Sequence, residues 1–395
     1  MLKKIFYGIL FLLFVAVPAH AELKVDIIAG NVSPVSVAVQ KVEAGAGVAK
    51  SDAEMVRGVV ENDLKSTGLF RMINKDAFPQ FVKFNDMPDF NLWYAIKAQV
   101  LVQSKMTKQE NGLYKLEFYV WDLNGKEQIE AQSLAASKKS IRRMAHLMAD
   151  AIYERLTGEV GYFDTQIVFI AETGDVSSRV KRMAIMDQDG YGMRYLSDKD
   201  TFVMSPRFSP DGEKVAMSLV QGGDTHLFEY NIETKELRQL TFGHSLNTSP
   251  SYSPDGTRLA FNSDKSGSQQ IHIMDLATGE EERITFGAGR YATPAWSPDG
   301  QFIAFTKIAD DTFYIGIMGT DGKHEKFLAG GWYMEAPSWA PGSRRLVYYE
   351  TEKSEDGQDR MSHLRTVDIT GQNLYDIELP DGINGVEPTW SPKLQ

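Results

Sequence analysis

Cysteine is absent from all 395 residues, and that absence removes several chemistries at once. A disulfide framework, a thiol nucleophile, a thiolate metal site and a lipidated N-terminal cysteine are excluded. Small exported domains commonly rely on disulfides, so an exported chain without cysteine is held by its own packing. Cations are also scarce. The 42 Lys and Arg stand against 53 Asp and Glu, a formal charge of −11. That excess argues against a nucleic-acid binder, because phosphate demands a basic face. Beyond the N-terminus no segment stays apolar for 18 residues, so no membrane insertion is expected. The seven histidines (His20, His146, His226, His244, His272, His324, His363) are scattered, with no short-spaced pair suited to zinc. No glycine loop able to cradle phosphate is present.

What is there begins with a targeting pattern. Lys3 and Lys4 precede an apolar run from Ile5 to Val17, and Ala19-His20-Ala21 forms a small-x-small cleavage site. This reads as a signal peptide over residues 1–21, with the mature chain starting at Glu22. Losing two lysines and no acid takes the formal charge from −11 to −13.

Residues 22–160 read as an α/β domain. Leu23, Val25 and Ile27 alternate with Lys24 and Asp26, a strand pattern that Val35, Val37 and Val39 repeat. Ser51-Asp52-Ala53-Glu54 is a capping-box signature ahead of a helix carrying Met55, Val56, Val59, Val60 and Leu64, with Gly68 as its stop. A short helix is expected over Asp89–Ala95. Three antiparallel strands follow, over 98–106, 113–121 and 127–133, with turns at Asn111-Gly112 and Asn124-Gly125. A second long helix spans about Lys138 to Thr157 and stops at Gly158. The helices are expected on one side of the small sheet.

Residues 164–395 are organised by a repeated phrase. Its copies are Pro206-Arg207-Phe208-Ser209-Pro210-Asp211-Gly212, Pro250-Ser251-Tyr252-Ser253-Pro254-Asp255-Gly256, Pro294-Ala295-Trp296-Ser297-Pro298-Asp299-Gly300, the degraded Pro337-Ser338-Trp339-Ala340-Pro341-Gly342, and the terminal Pro388-Thr389-Trp390-Ser391-Pro392. The leading prolines step by 44, 44, 43 and 51 residues. Four short strands per period of this length are the signature of a β-propeller blade. The first unit, from Gln166, has no leading phrase, and the last phrase has no blade behind it. The two fragments complete each other, predicting five blades closed by the C-terminal strand, which removes free edges. The aromatic of each phrase (Phe208, Tyr252, Trp296, Trp339, Trp390) is expected to wedge between neighbouring blades. The proline is expected at the strand's first residue, and Ser-Pro-Asp-Gly is turn chemistry. Asp211, Asp255 and Asp299 could approach a cation, but each is explained by its turn.

These repeats behind an exported α/β domain resemble the TolB family, the periplasmic component of the Tol-Pal system. The phrases, the Leu-Ala-Phe strands, the helix end Tyr153-Glu154-Arg155-Leu156-Thr157-Gly158 and Gly161-Tyr162-Phe163 carry the resemblance across essentially the whole chain. The family's propeller has six blades; here five are legible, and the missing unit falls between Leu196 and Pro206. The resemblance implies a periplasmic, non-enzymatic adaptor, monomeric and without cofactor or metal, that supports outer-membrane integrity and constriction at cell division. Its implied partners are the peptidoglycan-associated lipoprotein Pal, at one propeller mouth, and TolA, at the mature N-terminus. Carried onto this chain, the TolA contact is Glu22, Leu23, Lys24, Val25, Asp26, Ile27 and Ile28, a segment suited to strand addition; it equally reads as the domain's first strand. The Pal rim is Met204, Ser205, His244, Asn247, Thr248, Ser249, Tyr291, Thr293, Glu335 and Glu387, the residues at or just before the start of each innermost strand. Two other classes stand beside this one. Propellers of this repeat type also accompany peptidases, yet Gly243-His244-Ser245-Leu246-Asn247 lacks the last glycine of a nucleophile elbow. A small-ligand or cation-binding propeller is the third.

Overall fold

The structure is a computed structural model and describes residues 33–174, 178–197, 207–353 and 360–394. The 22–28 segment, Met204 and Ser205 therefore lie outside the described residues. The N-terminal part is built on one mixed sheet. Its strands are β1 (Val35–Val39), β2 (Glu43–Ala44), β3 (Phe70–Met72), β4 (Val100–Lys108), β5 (Tyr114–Asp122) and β6 (Glu127–Ala136). The order is β3-β1-β4-β5-β6, parallel from β3 to β4 and antiparallel from β4 to β6. The parallel pairs need crossovers, and α1 (Lys50–Ser66) supplies the one between β1 and β3.

Helices lie on both faces, which corrects the one-sided expectation. α1 and α3 (Ile141–Thr157) bury Val56, Val60, Leu64, Met144, Met148 and Ile152 against Val37, Val39, Val100 and Leu116. The other face packs Ala38, Leu101 and Trp121 against Trp93 of α2 (Phe90–Ala95). β1 is accordingly buried at every residue, because it lies between two layers. The capping box does not form. α1 starts at Lys50 behind Ala49, with no side-chain cap, so Ser51 already lies inside the helix. Gly158 does end α3, in the left-handed region at φ 76°.

Five four-stranded antiparallel sheets follow. The first blade joins Gln166–Thr173, Val180–Asp187 and Arg194–Tyr195 to the C-terminal strand Asn384–Trp390, which pairs with Gln166–Thr173. Blades two to five occupy 207–239, 247–283, 290–331 and 334–377. The expected closure by the C-terminal strand is therefore present. Tyr252, Trp296, Trp339 and Trp390 are 5–8% exposed and wedged between sheets. The neighbouring blades are further tied by polar bonds. The Trp296 and Trp390 amides donate to Ser251 Oγ and Ser338 Oγ of the preceding blade, both at 3.0 Å.

Phe208 departs from this series. It is 68% exposed, so the wedge expected of it is not made. Strand Lys214–Gln221 alternates buried and half-buried residues, with Val215, Met217 and Leu219 on the half-buried face. The matching strand of blade three is buried at Leu259, Ala260, Phe261, Asn262 and Ser263. Among the described residues, blade two is covered on one face only.

The proline position also differs from expectation. Pro250, Pro294, Pro337 and Pro388 lie inside their strands, each at a β-bulge, where a missing N–H breaks no ladder bond. The residue before each (Ser249, Thr293, Ala336, Glu387) has φ of 46–56°, a conformation that costs non-glycine residues free energy. The Ser-Pro-Asp-Gly turns form as read: Ser253 Oγ donates to Asp255 Oδ1, which also accepts the Thr257 amide at 3.1 Å.

The N-terminal domain docks against the turn face of blades one and five. Arg345, 4% exposed, donates to the carbonyls of Ser66 (2.9 Å) and Asn373 (2.7 Å). Gly68, at φ 72°, leaves no room for a β-carbon, which would stand 2.1 Å from Asn373 Oδ1. Buried Asp63 of α1 accepts from Gln188 Nε2 of blade one at 2.9 Å, and its other oxygen lies 2.7 Å from His146 Nδ1. Arg142 of α3 pairs with Asp189 beside it. The degraded phrase has its reason here. Gly342 stands where Asp299 stands in blade four, and a side chain on it would meet the Val160 carbonyl at 2.9 Å.

Candidate functional site

Strand direction alternates across each blade. The phrase turns and the turns before the fourth strands therefore share one end of the ring. The lead-in loops of the innermost strands share the other. The N-terminal domain occupies the first end. The mouth at the second is left open among the described residues, and it holds the rim positions expected from sequence.

The described rim residues divide into four groups. Thr248 and Thr293 sit at the bulges, and their hydroxyls bond Asn262 Oδ1 at 2.9 Å and Thr306 Oγ1 at 2.7 Å. These bonds hold the side chains on the neighbouring strand, with Ser249 half-buried next to them. Asn247 and Tyr291 point inward instead. Asn247 is 2% exposed and bonds Ser245 Oγ at 3.1 Å; Tyr291 is 1% exposed and donates to Glu325 Oε2 at 2.9 Å. They frame the rim without forming its surface. His244 is fully outward, its Nδ1 2.8 Å from Asp224 Oδ2.

Glu335 and Glu387 belong to a charged group drawn from several blades. Glu335 Oε2 accepts from Tyr333 and Tyr349 hydroxyls at 3.0 and 2.9 Å. Burial pushes its carboxyl above the ordinary value despite those two donors, and the charge of Glu387 adds to the rise. Arg290 of blade four opposes it. Burial pulls Arg207 of blade two down, against the attraction of Glu387. Glu335 thus feels Glu387 and Arg290, and Arg207 feels Glu387, which brings charges from four blades within electrostatic reach.

Sequence reasoning missed the aromatics around this mouth. Phe242 and Phe286 are 72% and 74% exposed, and Trp332 is 38% exposed. All three lie in loops that lead into the next innermost strand. A signal existed: Thr241-Phe242-Gly243 and Thr285-Phe286-Gly287 repeat before consecutive phrases. Large apolar side chains held in water by rigid loops mark a binding surface. Arg207 and Arg290 were also missed, because only the ring brings their blades together, as were Tyr333 and Tyr349, which meet Glu335 at blade five.

The nucleophile-elbow reading of Ser245 finds no supporting geometry among the described residues. Ser245 Oγ accepts from Asn247 Nδ2, and among the described residues no base is brought to it. Among the described residues one cluster has metal-ligand residue types: Asp63, His146 and Asp189, with ligand atoms within 4.8 Å of one another. Its carboxylates are already engaged, Asp63 by Gln188 and His146, and Asp189 by Arg142, while His146 Nε2 is buried without a hydrogen-bond partner. It acts as a domain contact.

Fold and site define a class: an α/β domain sealing one end of a β-propeller whose other end offers an aromatic, charged rim. The comparisons place the chain within it. A model of the TolB amino-terminal domain matches residues 23–129, and the TolB beta propeller domain matches residues 153–216 and 198–394. The chain belongs to the TolB family. The structure of TolB from Acinetobacter baumannii is 20% identical, with 91% of this chain and 97% of that one covered, at a TM-score of 0.76. A second structure ascribed to TolB, from Agrobacterium tumefaciens, is 17% identical over 58% of this chain and 99% of that one, at 0.41. An oligogalacturonate lyase from Vibrio parahaemolyticus is 17% identical over 54% of this chain and 60% of that one, at 0.36. Family membership carries a TolB-like role in the Tol-Pal system.

Proposed function

We propose that the chain is a non-enzymatic periplasmic adaptor, exported by the signal peptide read at residues 1–21. It grips the peptidoglycan-associated lipoprotein at the open propeller mouth and reaches TolA with residues 22–28. Through these contacts it supports outer-membrane integrity and envelope constriction at division. The observation that carries the reading is the mouth itself. Exposed Phe242, Phe286 and Trp332 lie in loops at the end of the ring that the N-terminal domain leaves free, the end that also carries Glu335 and Glu387. Aromatic anchors of this kind dominate protein interfaces.

Calorimetric titration of the purified chain with the soluble domain of the lipoprotein from the same organism tests the proposal. Saturable binding that is lost in Phe242→Ala/Phe286→Ala supports it. Absence of binding, or binding indifferent to the double substitution, rejects the mouth as the site. Titration with the TolA C-terminal domain, before and after removal of residues 22–32, tests the other contact in the same way.

A further inference from the structure

The N-terminal domain carries a concave pocket of about 400 Å³. Its walls come from the residues that follow two parallel strands: Gln40 and Lys41 after β1, and the segment from Lys75 to Phe81 after β3. Glu54 and Arg57, in the first half of α1, complete it. The far end of α1, at Asp63 and Ser66, makes the propeller contacts instead. The crevice beyond the carboxyl ends of parallel strands is where open α/β sheets hold ligands, and the volume is that of a small-molecule site. Gln40 is 1% exposed. Its Nε2 donates to the Gln80 carbonyl at 3.1 Å, which fixes the amide, since the flipped form would set oxygen against oxygen. Oε1 is then left buried without a hydrogen-bond partner, a cost that a donor on a ligand would offset. Lys41 Nζ stands 4.4 Å from the centroid of the Phe81 ring, which is 43% exposed. Among the described residues neither Lys41 nor Lys75 has an ion-pair partner, whereas Glu54 is held by Arg57 at 2.5 Å. The lining sets Lys41, Arg57 and Lys75 against Glu54 and Asp76, a net cationic patch in a chain of charge −11.

We propose that this pocket binds a short peptide with a free C-terminal carboxylate. Such a ligand brings a backbone N–H for Gln40 Oε1, a carboxylate for Lys41 and Lys75, and an apolar side chain for Phe81 and Phe78. Each part answers one observation: the unused acceptor, the two ammonium groups without an ion-pair partner, and the aromatic rings at the wall. A bare anion such as sulfate satisfies the lysines and has no donor for Gln40. An apolar ligand covers the rings and leaves the Gln40 acceptor buried and unpaired. The terminal carboxylate is also a recognised handle for peptide capture. Phe78 packs on Trp93 with ring centroids 5.3 Å apart, so one wall of the pocket is fixed to the core before any ligand arrives. The site belongs to a different domain from the propeller mouth and does not depend on what the mouth binds.

Calorimetric titration of the full chain with N-acetyl-alanyl-leucine, and with the same dipeptide amidated at its C-terminus, tests this. The carboxylate form should bind saturably, and the amide about fivefold to tenfold more weakly. Lys41→Gln/Lys75→Gln should weaken the carboxylate form by a similar factor and leave the amide unaffected, so that the two losses do not add. Gln40→Leu should weaken both forms about tenfold. That variant also deprives the Gln80 carbonyl of its donor; if it fails to fold, the lysine variants, whose side chains are exposed, still decide the matter. A longer peptide with the same last two residues separates the two sources of such a carboxylate. Equal affinity identifies the ends of protein chains as ligands, and a loss of about tenfold identifies free short peptides; both outcomes uphold the site. Phe242→Ala/Phe286→Ala should leave peptide binding unchanged. Three results overturn the proposal: no saturable binding of the carboxylate form, equal binding of carboxylate and amide, or lysine variants that weaken both forms alike.

Discussion

Asp63 offers the sharpest test of how the two domains are held together. It is fully buried, accepts Gln188 Nε2 from blade one, and faces His146 Nδ1 from α3. Asp63→Ala would leave the imidazole N–H and the Gln188 amide without their acceptor. Breaking one side of a buried pair costs about 3–5 kcal/mol, and stranding the Gln188 amide accounts for about 1–3 of that. The pH arm has a definite sign. Burial pushes the Asp63 carboxyl up to about 6, against the pull of His146. The folded state therefore takes up a proton at higher pH than the unfolded chain does. This contribution is present at low pH and is lost as pH rises through about 6. A rise from 3.8 to about 6 corresponds to about 3 kcal/mol. His146 is also raised, since Asp63 outweighs the burial that lowers it, and has the same sign: its contribution is present below 6.5 and lost on alkalinisation. Arg142, Asp189, Asp150, Tyr162 and Tyr375 share this electrostatic neighbourhood and are retained in the comparison variant Asp63→Asn. Denaturant unfolding at pH 5 to 8.5 should show wild-type stability falling as pH rises through about 6 and Asp63→Asn showing a shallower fall, with Asp150, which burial also pushes up to about 6, keeping its share. Equal slopes in the two proteins, or a loss below about 1 kcal/mol in Asp63→Ala, would refute the reasoning.

Trp390→Ala should destabilise by about 3–5 kcal/mol, because its ring is wedged against Tyr162 and its Nε1 donates to Thr165 Oγ1 at 2.8 Å. Phe208→Ala, at the corresponding position of blade two, should cost under about 1 kcal/mol, since that ring is mostly in water; thermal melts of the two variants separate the cases. Arg345→Met should raise hydrogen exchange at Ser66–Leu69 and Asn373 while the sheets of blades two and three keep their protection; uniform protection throughout would contradict its role as a domain tie. Phe242→Ala/Phe286→Ala should weaken lipoprotein binding by about 2–4 kcal/mol without moving the melting temperature; an equal loss of stability would mean the rings are packed, not presented.

Much of this protein was legible from local pattern. The turn chemistry of Ser-Pro-Asp-Gly, the hairpins of β4 to β6, the end of α3 at Gly158 and the split first blade depend on residues close in sequence. Their physics is that of dihedral preference and short-range bonding, and the structure agrees with them. The failed capping box lies at the limit of that reading, because α1 begins two residues before the expected first helical position, at exposed Lys50 and Ser51, with no side-chain cap.

Other features needed the folded chain. The burial of both faces of β1 follows from a second layer that includes Trp93, which no alternation could announce. Phe208 carries the same phrase as Trp296, yet only the arrangement of blades leaves one in water and the other at 6% exposure. Asp63 and His146 are 83 residues apart, and Gln188 comes from another domain; loop closure brings them together, and burial then makes their protonation matter. Arg207, Arg290, Glu335 and Glu387 likewise come within electrostatic reach only through the ring. The sequence by itself determined the repeat, its turns and the way the first blade is completed, because these are written in contiguous residues. The tertiary structure decided which end of the ring is free, which aromatic is a wedge and which charges meet, because those depend on distances between residues that the chain order keeps far apart.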